Sequence, residues 1–196
     1  MKKISLFVTA LAISQFMYAQ SVQFGIKGGV NIATLNDEDR VPDAQVKSRL
    51  GFHVGALAHI HLSDHWALQP EVMYSKEGAE YNFPTYTGKT DLNYVNVPVL
   101  VQYLTGSGFR LQTGPQIGFL TSAKFERPMN FETEKNDIDD TNFSWAFGLG
   151  YLTKSGFGID ARFNIGLSNM YKDGIYPGQE LKSRVGQIGV FYQFKK

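Results

Sequence analysis

Residues 143–152, FSWAFGLGYL, put Phe143, Trp145, Phe147, Leu149 and Tyr151 on one parity, and Ser144, Ala146, Gly148, Gly150 and Leu152 on the other. Successive side chains of a strand point to opposite faces, so strict alternation over this length marks a β-strand. A half-buried strand in water turns its bulk inward and shows charge outside. Here the face opposite the bulk is mostly small and uncharged. The same alternation returns in 157–168, where Phe157, Ile159, Phe163, Ile165 and Leu167 oppose Gly158, Asp160, Arg162, Asn164 and Ser168, a face that now carries charge. A fold for this chain must give a row of large apolar side chains an apolar surrounding on one side and close small and polar ones against each other on the other.

Eight alternating segments can be read: 22–35, 48–62, 66–81, 92–104, 109–123, 142–152, 157–170 and 182–194. Three connections, SDH (63–65), TGSG (105–108) and TKSG (153–156), are tight and rich in turn residues, as hairpins require. The other four, 36–47, 82–91, 124–141 and 171–181, are long and polar. Short and long connections alternate strictly. The expected fold is therefore all-β, an eight-stranded antiparallel up-and-down barrel with its tight turns on one rim and its long loops on the other. The 20 Gly, 15 Phe and 10 Tyr agree with a tightly curved sheet rather than helices.

A soluble barrel would turn the bulky face inward. An eight-stranded barrel is only just wide enough for ordinary side chains, so a row of Phe, Ile, Leu and Trp from every strand would overpack it. Its outside would also lack the Lys and Glu that keep soluble domains dispersed. Inverting the barrel removes both conflicts. The bulk then faces lipid, and the expected fold is a transmembrane barrel. Trp66, Tyr103, Phe109, Tyr151, Phe157, Tyr192 and Phe194 all flank the short turns or the last strand's end, at one level, as an aromatic girdle at a membrane interface does.

Residues 1–19 read as a secretory signal peptide: Lys2 and Lys3, the apolar run ISLFVTALAI, then a small residue, Ala19. Residues 20–196 form the barrel domain. With no Cys there is neither a disulfide framework nor thiolate chemistry, and a formal charge of +1 excludes nucleic acid as the expected partner. Seven charged residues fall on the inner parity: Lys27, Arg49, Glu71, Glu77, Arg110, Asp160 and Arg162. Four basic and three acidic groups can largely neutralise one another, and buried charges persist only when paired. A lumen charge network that plugs the bore is the expected result, with Arg110 and Arg162 meeting Glu71 and Asp160 at mid-height.

His53, His59 and His61 share the inner face of one strand. No Cys or carboxylate completes a ligand set at metal-site spacing, so they are expected to fill the lumen and no metal is assigned. NDIDD (136–140) lacks the order of a calcium loop. No catalytic or phosphate-cradling motif occurs, so neither an enzyme nor a cofactor is expected. Pro70, Pro98 and Pro115 lie inside strands, where each removes a ladder donor, and bulges are expected there.

The segments FGIKGGVNIATL (24–35), ALQPEVMYSKEG (67–78), LNYVNVPVLVQY (92–103), LQTGPQIGFL (111–120) and GVFYQF (189–194) resemble the small outer-membrane β-barrel family (porin-like, PorT-type) of Bacteroidetes. The resemblance covers essentially the whole chain after residue 19. It implies an outer-membrane location, contact with outer-membrane lipid, and insertion by the barrel-assembly machinery. The role it suggests is structural or interaction-based, with a plugged or narrow lumen and a protein partner met through the long loops. The alternatives are a narrow porin-like channel for small solutes and an accessory component of an outer-membrane secretion complex.

Overall fold

The computed structural model describes residues 22–36, 45–82, 87–126, 138–172, 178 and 180–194. Eight strands follow in order: β1 (Val22–Asn36), β2 (Gln45–His61), β3 (Trp66–Asn82), β4 (Thr87–Leu104), β5 (Phe109–Glu126), β6 (Thr141–Leu152), β7 (Phe157–Gly166) and β8 (Lys182–Gln193). Each pairs antiparallel with its neighbours, and β8 returns to β1, so the barrel is closed. The signal segment 1–19 lies outside the described residues, as do 37–44, 83–86, 127–137 and 173–177 of the long loops.

Two of the tight turns are built alike. In each, the Gly N–H donates to the Thr carbonyl three residues back, at 3.1 Å, and the Thr N–H and Oγ1 both donate to the carbonyl of the Phe that opens the next strand. The last turn residue must take positive φ, +100° at Gly108 and +96° at Gly156, a region that side chains with a Cβ disfavour. The repeated Thr-x-Ser-Gly thus fixes two hairpin registers locally.

On the outer face of β3, Trp66, Leu68, Val72 and Tyr74 run as an apolar stripe and then give way to Lys76 and Glu80. From Trp66 to Tyr74 the stripe is as long as a tilted membrane-crossing strand needs, about 9–11 residues. Above it the outer face becomes a ladder of opposite charges. Lys47 stands opposite Glu80, Glu80 opposite Lys89, and Asp91 opposite Lys124.

The ladder corrects the expected strand limits. Residues 45–47, 87–91 and 124–126, expected in loops, continue the strands, because charges on a face that has left the lipid read in sequence like loop polarity. Strands β2 to β5 have 17, 17, 18 and 18 residues, whereas β6 to β8 have 12, 10 and 12. One half of the wall is therefore tall and the other low. On the low side β7 stops at Gly166 rather than reaching 170. Leu167 N–H and Ser168 N–H both bond to Phe143 O, and Asn169 Oδ1 accepts from the Tyr171 and Leu181 N–H groups. Those bonds turn the chain inward across the mouth.

The bulges are not at the prolines. Register shifts lie between Ser48 and His53 in the β2–β3 pair and at Asn93/Tyr94 in the β4–β5 pair. Pro70 pairs with Val99, Pro98 with Gln116 and Pro115 with Trp145, and the register is the same on both sides of each. A single missing N–H costs one ladder bond, whereas a shift would turn every later side chain to the wrong face.

Candidate functional site

The inner face is a column of side chains that changes character with height. Midway, four of the seven expected charges converge. Arg162 of β7 forms a two-pronged ion pair with Glu71 of β3, Nη1 to Oε2 at 3.0 Å and Nη2 to Oε1 at 2.8 Å. Lys27 of β1 donates to Asp160 of β7, which also lies 3.5 Å from Arg162 Nη2. Gln69 Nε2 and Gln112 Nε2 add bonds to Glu71 and Asp160 at 2.8 and 3.3 Å. Two cations and two carboxylates from three strands thus form a neutral, almost fully buried cluster, the arrangement in which buried charge is tolerated.

Above it lies a layer of amides. Asn31 Nδ2 donates to Ser75 Oγ at 2.9 Å and to the carbonyls of Phe52 and Lys76, while its Oδ1 meets His53 Nδ1 at 2.7 Å and Gln187 Nε2 at 3.1 Å. His53 is thereby a lumen filler. Among the described residues, no group of three or more His and carboxylate side chains is placed to hold a metal.

The other three charges do not join the cluster. Glu77 is buried higher up, where its Oε1 accepts from Ser75 Oγ (2.8 Å) and Asn96 Nδ2 (3.0 Å). Arg49 leaves the inner face because the bulge between Ser48 and His53 redirects it. It bonds Asp91 Oδ2 at 2.8 Å, on the outer parity of β4, where Lys76 lies 3.4 Å from the same carboxylate. Arg110 is inside but sits beside the turn rather than at mid-height, so it does not meet Glu71. Its guanidinium stands 5.3 Å from the centre of the Phe191 ring, which lies flush against Gly158, where a Cβ would come within 2.2 Å of it.

Six of the aromatic residues expected at one level stand directly across adjacent strands. Trp66 pairs with Tyr103, Phe109 with Tyr151 and Phe157 with Tyr192 across adjacent strands. Ring centres stand 5.2 Å apart in Trp66–Tyr103, 5.0 Å in Phe109–Tyr151 and 5.6 Å in Tyr192–Phe194. Together they form a belt around the turn-side end.

Sequence reasoning missed the top of the column. Leu35, Ala79, Tyr81, Leu92, Tyr94, Leu120, Ile138, Met170, Tyr171 and Leu181 form a buried apolar cluster under the loop-side mouth. Ile138 and Tyr171, from two different loops, pair across it as an isolated bridge. The signal was present: Tyr81, Leu92 and Tyr94 put bulk on the inner parity just where the outer parity turns charged.

A closed antiparallel barrel with lipid-facing apolar stripes and a polar bore defines an integral β-barrel of the outer-membrane type. The chain belongs to the outer membrane protein beta-barrel domain family, which matches residues 18–172. No curated protein matches the chain at a significant level. Among solved structures, it is similar in fold to Neisserial surface protein A, at 14% identity over 89% of this chain and 99% of that one, with a TM-score of 0.57. It is similar too to Ail, the attachment invasion locus protein of Yersinia pestis, solved with the heparin analogue sucrose octasulfate. That match has 14% identity, coverage of 89% and 99%, and a TM-score of 0.51.

Proposed function

We propose that the protein is a resident outer-membrane barrel with a structural or interaction role, a plugged lumen, and a contact surface formed by the tall β2–β5 wall and the loops above it. The observation that carries this reading is a pair of buried side-chain clusters on the inner face, Lys27–Asp160–Arg162–Glu71 below and the apolar cluster above. In this reading residues 1–19 direct export and 20–196 form the barrel, inserted by the barrel-assembly machinery. The aromatic belt lies at the periplasmic interface and the tall wall projects outside the cell. No catalytic role is assigned.

Planar-bilayer recording tests the plug. The unmutated protein should give no steady current, and a steady single-channel current would replace this reading with that of a narrow solute channel. The PorT-type resemblance favours a second reading, an accessory part of a secretion complex. Extraction in mild detergent followed by affinity capture of the barrel distinguishes the two, because a complex component brings stoichiometric partners and a free-standing barrel does not.

A further inference from the structure

At the turn-side mouth, below the charge cluster, a pocket of about 240 Å³ lies between the hairpins. His59, His61, Asp64, Thr105, Arg110 and Leu152 are among its lining residues. Arg110 is 4% exposed. Among the described residues its guanidinium makes one long hydrogen bond, Nη1 to Gln102 Oε1 at 3.5 Å, and no ion pair, and its Nε is buried without a partner. His61 Nδ1 is likewise buried and unpartnered. His59 and His61 pack edge to face, with ring centres 4.5 Å apart.

The contrast with Arg162 is chemical. Arg162 has two carboxylates within 3.5 Å, whereas the equally buried Arg110 has none within ion-pair range. Glu71 is taken by Arg162 and Asp160 by Lys27. Asp64, on the same pocket, is exposed and keeps its hydration. A buried guanidinium faced by the Phe191 ring at 5.3 Å but by no carboxylate in ion-pair range is costly. Its planar fork of N–H donors suits the two oxygens of a carboxylate or phosphate, and the pocket volume exceeds what a single water requires.

We propose that this pocket binds a small oxyanion, a carboxylate or phosphate group, held by Arg110 with His61 as a second donor. The site lies below the plug and does not depend on whether the bore conducts.

The test is a nitrogen-15 NMR titration of the folded barrel in zwitterionic detergent micelles, following the Arg110 Nε–H signal. Inorganic phosphate and acetate are the probes, and sodium chloride at matched ionic strength is the control. A saturable shift with phosphate or acetate but not with chloride is expected. Arg110→Gln should weaken binding, as read from the His61 ring signals, by about tenfold or more, as loss of a charge-assisted hydrogen bond implies. Arg110→Lys should keep part of it, and Asp64→Asn should tighten it. Gel mobility before and after boiling confirms that each variant is folded.

A parallel sample in phosphatidylcholine nanodiscs, with and without phosphatidylglycerol, separates the two sources of phosphate. A shift that needs the anionic lipid assigns the site to a headgroup, and a shift with inorganic phosphate alone assigns it to a free anion. No saturable shift with any probe, or the same His61 response in Arg110→Gln, would overturn the proposal.

Discussion

Two levels of the same wall obey opposite rules. Around Trp66 to Tyr74 of β3 the outer face is apolar and the inner face carries Gln69, Glu71 and Ser75. A few residues higher the outer face carries Lys76 and Glu80, and the inner face carries Ala79 and Tyr81. Strand β4 makes the same exchange. Val95 to Tyr103 face out over Asn96 and Gln102, whereas Lys89 and Asp91 face out over Leu92. Alternation sets only that the two faces differ, and the surroundings decide which of them is apolar. In lipid the bore must hold the polar groups, and above lipid the barrel reverts to the packing of a soluble β-protein, with a core of its own.

The largest losses are expected in the lower level. Arg162→Met leaves Glu71 without its ion-pair partner in a buried site, and should destabilise the barrel by about 3–5 kcal/mol. Adding Glu71→Leu removes the orphan charge while Lys27 and Asp160 still pair, so the double variant should recover much of the loss. Urea unfolding in lipid vesicles measures Arg162→Met, Glu71→Leu and the double variant. If the double variant were as unstable as the sum of the two singles, pairing would not be what holds this level together.

In the upper level the vulnerable groups are apolar. Leu92→Ala should cost about 2–5 kcal/mol, since Leu92 is almost wholly enclosed and its loss leaves a cavity. The same truncation at lipid-facing Leu149 should cost clearly less, because lipid chains fill the space as protein cannot. Equal costs in the same urea series would mean that the upper cluster is not a packed core.

How much of this the sequence disclosed follows from what a strand's period can report. Sidedness was legible wherever the outer face touched lipid, because Phe143 to Tyr151 and Phe157 to Leu167 alternate without exception. The ends of β2, β4 and β5 were not, since Lys47, Lys89, Asp91 and Lys124 carry the composition of a loop although they alternate with inward residues. The charge cluster was legible as a set and not as pairs. Arg162 meets Glu71 from 91 positions away, a distance fixed by barrel closure and not by any local pattern. Arg49 was misplaced because a bulge inverts parity, and its one cue in KSRLGF, Gly51, is a single glycine among the many these strands carry.

The outer face gives the next test. Phe163→Arg puts a charge into the apolar band and should cost about 2–4 kcal/mol, whereas Thr121→Arg, at the edge of the band, should cost about 0–1 kcal/mol. Urea unfolding of the two variants in the same vesicles compares them. Similar values would mean that the band does not end near Thr121.

The smallest effect tests the charge ladder. Lys89 is exposed and stands opposite Glu80, which also faces Lys47. Lys89→Glu sets an acidic residue between Glu80 and Glu126, three in a row across β3, β4 and β5, on a surface in water. Opposite charges across a strand pair contribute about 0.2–1 kcal/mol, and like charges subtract a similar amount. The loss should shrink as salt is added, because exposed charges are screened beyond about 10 Å at 0.1 M ionic strength. A series of unfolding curves at rising salt reads both the size and the trend. A loss above about 2 kcal/mol that salt does not reduce would match a charge in the lipid band. The row would then lie inside the membrane, and the boundary between the two levels would have to move up the wall.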